Sequence, residues 1–410
     1  MAPLAALLAL ALAGLLVPAD SGDLQPQALN LGLPDGLYAD RQALLALKAI
    51  IPSSGFGSST IKTGWPSSTS SPNYNPCNSS TAAGSGGVLQ NGAWPYIICS
   101  ANRVTQLKLA GLGIVGDGLP VDLAYMDSLN TLLLQNNKFT GTVPDGWAGP
   151  ALFSSLVTLR LSGNQLSGTL PPWDRRGAFK ALSELSLDNN QIEGALPASW
   201  AGLSRPLRSV TTLNLAGNNL GQVPDGRGGY TYPPLPNGAT DWGSSDLWDG
   251  PFPRLKVLNV EGNAYKGPLP SNWGSPYAFG ALRSLRLGSN QLSGTLPASW
   301  AALGAFPRLQ ELQLQWNNLG DPAAKGGHGG DRDGRAGGED TGGGLPEAWK
   351  RAGPPRAFPA LQTLVLFNGN GQICGQPQAS NTKLQGDAAY NVTDAVGRVY
   401  VPGGAWRACS

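Results

Sequence analysis

The sequence LVTLRLSGNQLSGTLP (156–171) sets the architecture of this chain, because its form LxxLxLxxNxLxGxLP returns many times. Closely similar copies are LSELSLDNNQIEGALP (182–197) and LRSLRLGSNQLSGTLP (282–297). The same frame recurs from residues 129, 210 and 255, and weaker copies begin at residues 104, 309 and 361. Self-similarity at a steady period is the sequence signature of a solenoid. The nine copies therefore predict one elongated array instead of several compact domains.

The leucines of the repeat have a physical role. Within LxL, successive side chains alternate between the two faces of a short strand, so the two central leucines point inward. One repeat cannot bury its leucines alone, whereas stacked repeats form a parallel sheet over a continuous core. We therefore predict a leucine-rich-repeat solenoid: a right-handed curved coil of about nine repeats, with a parallel β-sheet on its concave face and a short helical cap before it.

An asparagine follows the strand in seven of the nine repeats. Its side-chain amide is expected to bond backbone groups of adjacent coils where the chain turns away from the strand. The column is Asn137, Asn164, Asn190, Asn218, Asn263, Asn290 and Asn317. Leu112 and Gly369 replace it in the first and last repeats, as expected for atypical terminal coils.

Tryptophans also follow the repeat. They stand two or three residues after the proline of LP, at Trp147, Trp173, Trp200, Trp273, Trp300 and Trp349. A row of aromatic rings could bind sugars. Because a residue tied to the repeat in this way is expected to pack on the back of the coil, we predict that these indoles are structural.

The start of the chain predicts secretion. Leu4–Val17 is an uncharged apolar run, and small residues follow it, as in a signal peptide covering residues 1–19. A signal anchor is the alternative, but the run is short for a bilayer span. We expect a secreted, extracellular protein associated with the cell wall. No later segment is apolar for long enough to span a membrane, so signalling would require a membrane co-receptor.

Four cysteines flank the repeats in two pairs, which in an oxidising compartment predicts two end-cap disulfides. The pairs are Cys77 with Cys99 and Cys374 with Cys409. Four free thiols are the alternative. Sequons at Asn78 and Asn391 predict glycosylation next to each cap.

The LxGxLP half of the repeat resembles the plant-specific leucine-rich-repeat class, which includes polygalacturonase-inhibiting proteins and the ectodomains of plant receptor-like kinases and receptor-like proteins. DRQALLALKAI (40–50) resembles the amphipathic cap helix of that class, with Asp40 as its N-cap. Cys77, Trp94 and Cys99 before Arg103 resemble its paired-cysteine motif. The resemblance implies a scaffold that binds peptides, proteins or cell-wall polysaccharides outside the cell.

Two insertions break the period. The first, 225–253, contains Tyr230, Tyr232, Trp242 and Trp248, which either bind sugars or a partner protein or fold back over the coil. The second, 320–344, is hydrophilic and Gly-rich, which predicts a loop that has no fixed structure. We expect no metal site in it. The predicted segments are a signal peptide at 1–19, an N-terminal cap with a Gly/Ser-rich loop at 20–102, the repeats at 103–371 and a C-terminal cap at 372–410.

Little in the sequence points to catalysis or to a cofactor. The single histidine, His328, lies in the second insertion, where no rigid triad or metal site can hold it. Glu184, Asp188 and Glu261 could form a two-carboxylate glycosidase pair, but on this fold we expect them to be surface hydrogen-bonding groups. With 28 Lys+Arg against 26 Asp+Glu, the chain lacks the basic excess of a nucleic-acid binder.

The solvent-facing positions of the strands form the predicted binding surface. Trp316 and Phe367 are aromatic where a small polar residue is usual, so we expect a hot spot around Trp316; covering the C-terminal edge is the alternative. The predicted ligand-binding residues are Lys108, Arg160, Arg286, Glu311, Gln313, Gln315, Trp316 and Phe367. The predicted function is a non-catalytic scaffold that recognises a protein, peptide or polysaccharide in signalling or hydrolase inhibition. A structural matrix protein is the alternative.

Overall fold

The computed structural model describes residues 35–52, 61, 65, 76–77, 94–149, 151–201, 206–236, 252–276, 278–319, 358, 360–361, 363–365, 392–393 and 399–400. Several predictions lie outside these residues and stay predictions. They concern the signal peptide at 1–19, the insertion at 320–344, the Cys374–Cys409 pair, the sequons at Asn78 and Asn391, and Trp242, Trp248, Trp349 and Phe367.

Within the described residues, a ten-stranded sheet forms the concave face of the coil. Its strands are β1 (Ile97–Ser100), β2 (Arg103–Lys108), β3 (Thr131–Leu133), β4 (Thr158–Arg160), β5 (Glu184–Ser186), β6 (Thr212–Asn214), β7 (Val257–Asn259), β8 (Ser284–Arg286), β9 (Glu311–Gln313) and β10 (Thr363–Val365). β1 is antiparallel to β2, and β2 to β10 are parallel in chain order. This confirms the predicted solenoid, although the asparagine marks only seven regular turns.

Equivalent residues of neighbouring repeats stand side by side in the sheet. Leu132 pairs with Leu159, and Leu159 with Leu185. Each of these central leucines is buried, while the residues on either side of it face outward. The outward side chains therefore form continuous columns along the concave face.

Short strands pair on the side of the coil that follows each asparagine, and we call this side the flank. Its parallel strands are Val115–Asp117 with Lys138–Thr140, Glu193–Gly194 with Asn219–Leu220, and Lys266–Gly267, Gln291–Gly294 and Asn318–Leu319 together. Short 3-10 helices lie on the back of the coil at Val121–Tyr125, Asp145–Trp147, Ala198–Ala201, Ser271–Gly274 and Ala298–Ala301.

The asparagine column bonds each coil to its neighbours, as predicted. In Asn164, Oδ1 accepts the N–H of Phe139 at 3.1 Å, and Nδ2 donates to the carbonyls of Leu134 at 3.0 Å and Leu161 at 2.9 Å. The side chain thus satisfies buried backbone groups of two successive repeats, which regular secondary structure leaves unpaired at this turn.

The tryptophans are structural. The five described tryptophans that follow the LP of a repeat are buried, and each indole Nε1 donates to the carbonyl of a proline in the preceding repeat. The pairs are Trp147 with Pro120, Trp173 with Pro144, Trp200 with Pro171, Trp273 with Pro236 and Trp300 with Pro270, at 2.8–3.1 Å. A second row, of phenylalanines, stacks beside them, with Phe252, Phe279 and Phe306 about one repeat apart. These indoles offer no surface to a sugar.

The N-terminal cap corrects one prediction. Helix α1 runs from Asp35 to Ile50, so Asp40 lies inside it and is not its N-cap. The buried Asp40 carboxylate instead accepts bonds from the Arg103 guanidinium at 3.0 Å and the Val104 N–H at 2.9 Å, which ties the helix to β2. Burial raises the pKa of Asp40 in spite of these bonds.

The predicted N-terminal disulfide is present, since Cys77 and Cys99 are bonded across 22 residues. Cys99 lies in β1, so the bond joins the loop before the repeats to the edge of the concave sheet. Among the described residues, no helix is long and apolar enough to cross a membrane.

The first insertion begins earlier than the sequence suggested. Its leading residues, Val223–Pro224 and Tyr230–Thr231, form an antiparallel hairpin that leaves the coil on the flank. Pro224 is exposed, whereas Leu235 is buried and the carbonyl of Pro236 receives the Trp273 indole. The LP of this repeat is therefore Leu235–Pro236 and not Val223–Pro224.

Candidate ligand-binding face

The C-terminal half of the concave face carries a connected polar network, centred on Glu311. One carboxylate oxygen of Glu311 accepts the Ser284 hydroxyl at 2.6 Å and the Arg286 guanidinium at 3.0 and 3.2 Å. The other oxygen accepts the Gln313 amide at 2.5 Å. Because Arg286 and Gln313 are register partners on β8 and β9, the sheet itself brings these predicted residues together.

Gln315 extends this network towards the middle of the face. Its Nε2 donates to Glu261 at 3.1 Å, across two strands. A Cβ at Gly288 would come within 2.7 Å of that nitrogen, so the glycine gives the Gln315 side chain room to reach back. Its Oε1 has no hydrogen-bond partner. The predicted residues Arg286, Glu311, Gln313 and Gln315 thus lie in one surface.

Trp316 stands next to this network in a backbone conformation that large residues avoid. Its side chain is 57% exposed and its φ is 57°, in the left-handed region. The same position in the other described repeats has φ between 52° and 68° and is occupied by Gly111, Asn136, Gly163, Asn189, Gly217, Gly262 and Ser289. Glycine and asparagine tolerate this conformation, whereas a bulky residue there costs about 1–2 kcal/mol. Trp316 therefore bears strain without the compensation of burial.

The N-terminal half has a second, separate ion pair. Arg160 donates to both oxygens of Glu184, at 2.7 and 3.1 Å, and this bond raises the pKa of Arg160. Asp188 lies beside the pair and accepts the hydroxyls of Ser162 at 2.7 Å and Ser186 at 3.1 Å. Arg160 is thus structurally apart from the Trp316 network, although both were predicted as one binding surface.

Lys108 lies at the N-terminal end of the concave face, exposed, with no ion pair among the described residues. β1 places Tyr96 and Ile98 beside it, 37% and 40% exposed. Neither residue is predictable from the repeat, because β1 precedes the first repeat and shares none of its pattern. Their alternation in YIICS (96–100) was the available signal.

The centre of the concave face lies between the two ion pairs. The last residue of each strand there is uncharged. Asn214 on β6 and Asn259 on β7 stand directly side by side. Their Oδ1 atoms accept the N–H groups of Ala216 at 3.3 Å and Glu261 at 3.0 Å, so each amide nitrogen is left as an outward donor. The repeat pattern alone does not distinguish these two asparagines from the other outward-facing positions.

The three carboxylates considered for glycoside hydrolysis are engaged in hydrogen bonds. Glu184 accepts from Arg160, Asp188 from two serines, and Glu261 from Gln315. Within the described part of the chain, no three His, Cys, Asp or Glu side chains are grouped to hold a metal ion. Glu184, Asp188 and Glu261 are therefore hydrogen-bonding groups of the surface, as predicted.

The two described aromatics of the first insertion lie on the flank. Tyr230 and Tyr232 belong to the hairpin and are 49% and 37% exposed. The Lys266 ammonium sits 3.2 Å from the centroid of the Tyr232 ring, which fastens the hairpin to the next repeat. Asp225 closes the hairpin turn by accepting the N–H groups of Arg227 at 2.7 Å and of Gly229 at 2.9 Å, and these bonds lower its pKa.

Comparison with known proteins agrees with this architecture. The family model described as Leucine Rich Repeat matches residues 128–149, 155–175, 181–203 and 281–303, and a second Leucine Rich repeat model matches 308–326. These models describe a repeat and no enzyme. No curated protein sequence matches the chain.

Two solved structures share the fold. The PEPR1–AtPEP1 crystal structure has a TM-score of 0.52 at 22% identity and covers 82% of this chain. The ectodomain of the Arabidopsis thaliana membrane receptor kinase GASSHO1/SCHENGEN3, solved with CASPARIAN STRIP INTEGRITY FACTOR 2, has a TM-score of 0.52 at 20% identity and also covers 82%. The chain spans only 39% and 33% of those two chains. The chain therefore contains leucine-rich repeats and has the solenoid fold of these two structures.

Proposed function

We propose that the protein is an extracellular, non-catalytic scaffold that binds an extended polypeptide on its concave face. Trp316 carries the proposal. It is 57% exposed in a position where the other described repeats have glycine, asparagine or serine. Strain that a structure retains without a packing benefit points to function. Tryptophan is also among the residues that most often dominate binding energy at interfaces.

The polar groups around Trp316 suit a polypeptide backbone, which presents N–H donors and C=O acceptors in turn. The face offers donors from Asn214, Asn259 and Arg286, and an acceptor from Glu261. Cross-strand bonds hold several of these side chains in place before a ligand arrives. Binding then costs less side-chain entropy than it would on a mobile surface.

Two further observations support the proposal. The apolar run at the start of the chain predicts secretion. The structures of similar fold include PEPR1 with AtPEP1 and GASSHO1/SCHENGEN3 with CASPARIAN STRIP INTEGRITY FACTOR 2. By analogy with these complexes, this chain would take a ligand of its own, and a membrane co-receptor would carry the signal.

The test is affinity capture from an extracellular extract with the wild type and with the double variant Trp316→Ala, Arg286→Ala. We expect the double variant to lose the partner and keep its Tm within a few degrees, because the Arg286–Glu311 pair is partly exposed and such pairs contribute about 0–1 kcal/mol. Glu311 also keeps its bonds from Ser284 and Gln313. Equal capture by both proteins would refute the proposal.

A matched control is Leu303→Ala with Arg308→Ala. Both side chains are exposed in the same part of the coil but outside the concave sheet, so this variant should capture the partner like the wild type. The captured protein also defines the role: a secreted hydrolase indicates inhibition, and a receptor kinase indicates signalling.

A further inference from the structure

The flank has a composition that neither the fold nor the concave site explains. The position after each ladder asparagine is an exposed carboxamide in five of the seven regular repeats: Gln165, Gln191, Asn219, Gln291 and Asn318. Further along the same segments lie the hydroxyls of Thr140, Thr142, Ser167, Thr169, Ser293 and Thr295, of which Thr140 bonds to Gly116 and Asp117. Nothing in the core needs these side chains, since the leucine and glycine between them supply the packing and the turn.

The charges on the flank cancel. Its charged side chains in the described strands are Asp117, Lys138, Glu193 and Lys266, two of each sign. A surface without net charge does not attract a polyanion, which requires a basic stripe. The carboxamides and hydroxyls of the flank instead both donate and accept hydrogen bonds, and neighbouring strands place them about 4.8 Å apart.

The hairpin of the first insertion adds aromatic rings to this surface. It leaves the coil after Gln222, whose carbonyl accepts the N–H of Gly194 on a flank strand at 2.7 Å. On its other side it is fastened to Lys266 through Tyr232. Tyr230 is thereby held 49% exposed on a hairpin that leaves the coil at the flank, and Asp225 closes the turn of that hairpin. The ring is displayed by a fixed hairpin.

We propose that the flank is a second binding surface, for a chain of an uncharged polysaccharide. Sugar rings present apolar C–H faces that pack on an aromatic ring and hydroxyls that donate and accept hydrogen bonds. The flank supplies both: Tyr230 as the stacking platform, and the carboxamides and hydroxyls as alternating donors and acceptors. This surface does not include the concave face, so a wall polymer and a polypeptide could be held at the same time.

The test is affinity electrophoresis of the full chain in gels containing xyloglucan, with polygalacturonate gels beside them. We expect xyloglucan, which is uncharged, to retard the protein and polygalacturonate, a polyanion, not to do so. Tyr230→Ala should weaken the xyloglucan affinity about tenfold, the upper range of an aromatic contact, whereas Tyr230→Phe should stay within about twofold. Tyr125→Ala is the matched control, since Tyr125 is 40% exposed away from the flank.

Three outcomes would overturn the proposal. They are the absence of retardation by xyloglucan, retardation that Tyr230→Ala leaves unchanged, and stronger retardation by polygalacturonate. The double variant Trp316→Ala, Arg286→Ala should bind xyloglucan like the wild type. Loss of xyloglucan binding in that variant would move the polymer to the concave face, which refutes the flank but not the scaffold role.

Discussion

Replacing Asn263 by alanine measures how much the asparagine column contributes across the first insertion. Oδ1 of Asn263 accepts the N–H of Leu220 at 3.0 Å, and Nδ2 donates to the carbonyls of Leu215 and Val260 at 3.0 Å each. In the variant, the Leu220 N–H is left buried without a partner, which costs about 1–3 kcal/mol. The two carbonyls keep one bond each, from Asn218 and from the next ladder asparagine.

Each bond lost by those carbonyls costs about 0.5–1.5 kcal/mol, so the free energy of unfolding should fall by about 2–6 kcal/mol in total. Urea denaturation followed by tryptophan fluorescence measures this change, and an unchanged m-value supports a single transition. Asn219→Ala is the matched control, because Asn219 is exposed and its loss should stay within about 0.5 kcal/mol. The reasoning is refuted if the two variants are equally stable.

Three further predictions concern the back, the cap and the flank. Trp173→Phe removes the indole bond to the carbonyl of Pro144, which keeps its bond from the Trp147 N–H at 3.4 Å, so the free energy of unfolding in urea should fall by about 0.5–1.5 kcal/mol; an unchanged midpoint contradicts this. Replacing Cys77 and Cys99 by serine should cost about 3 kcal/mol by the same assay, because their bond closes a loop of 22 residues. The backbone N–H bonds of Arg227 and Gly229 lower the pKa of Asp225 from its ordinary value of 3.8. The hairpin turn should therefore stay closed above pH 3.8 and loosen only as the pH falls through the lowered pKa. An NMR titration of the Asp225 carboxylate with a midpoint above 3.8 opposes this.

Repetition explains why so much of the coil could be predicted. Each strand, asparagine and tryptophan is decided by residues within one repeat and by the identical repeats on either side. The burial of Leu159 and the hydrogen bonds of Asn164 could therefore be predicted from the spacing of leucine and asparagine in the repeat. The choice between a sugar-binding and a structural tryptophan row could also be made in advance, since only packing requires a fixed place in every coil.

The predictions failed where two segments far apart in the sequence meet. Val223–Pro224 and Leu235–Pro236 each consist of an apolar residue followed by proline. The local sequence therefore does not distinguish which of the two pairs ends the fifth repeat. The Trp273 indole, 37 residues beyond Pro236, identifies the pair, because it donates its hydrogen bond to the carbonyl of Pro236. In the same way, aspartate is a residue type that often caps helices, but the Asp40 carboxylate is buried and accepts hydrogen bonds from Arg103 and Val104.

The sequence by itself determined the solenoid, its period and the residues that face the concave surface, because these depend on a repeated local pattern. Only the tertiary structure decided which surface residues act together. It joined Arg286 to Glu311, separated Arg160 from them, put Trp316 in a strained backbone, and moved Tyr230 to the flank. Those outcomes depend on stacking between coils and on where an insertion re-enters the coil, and neither is encoded in any one repeat.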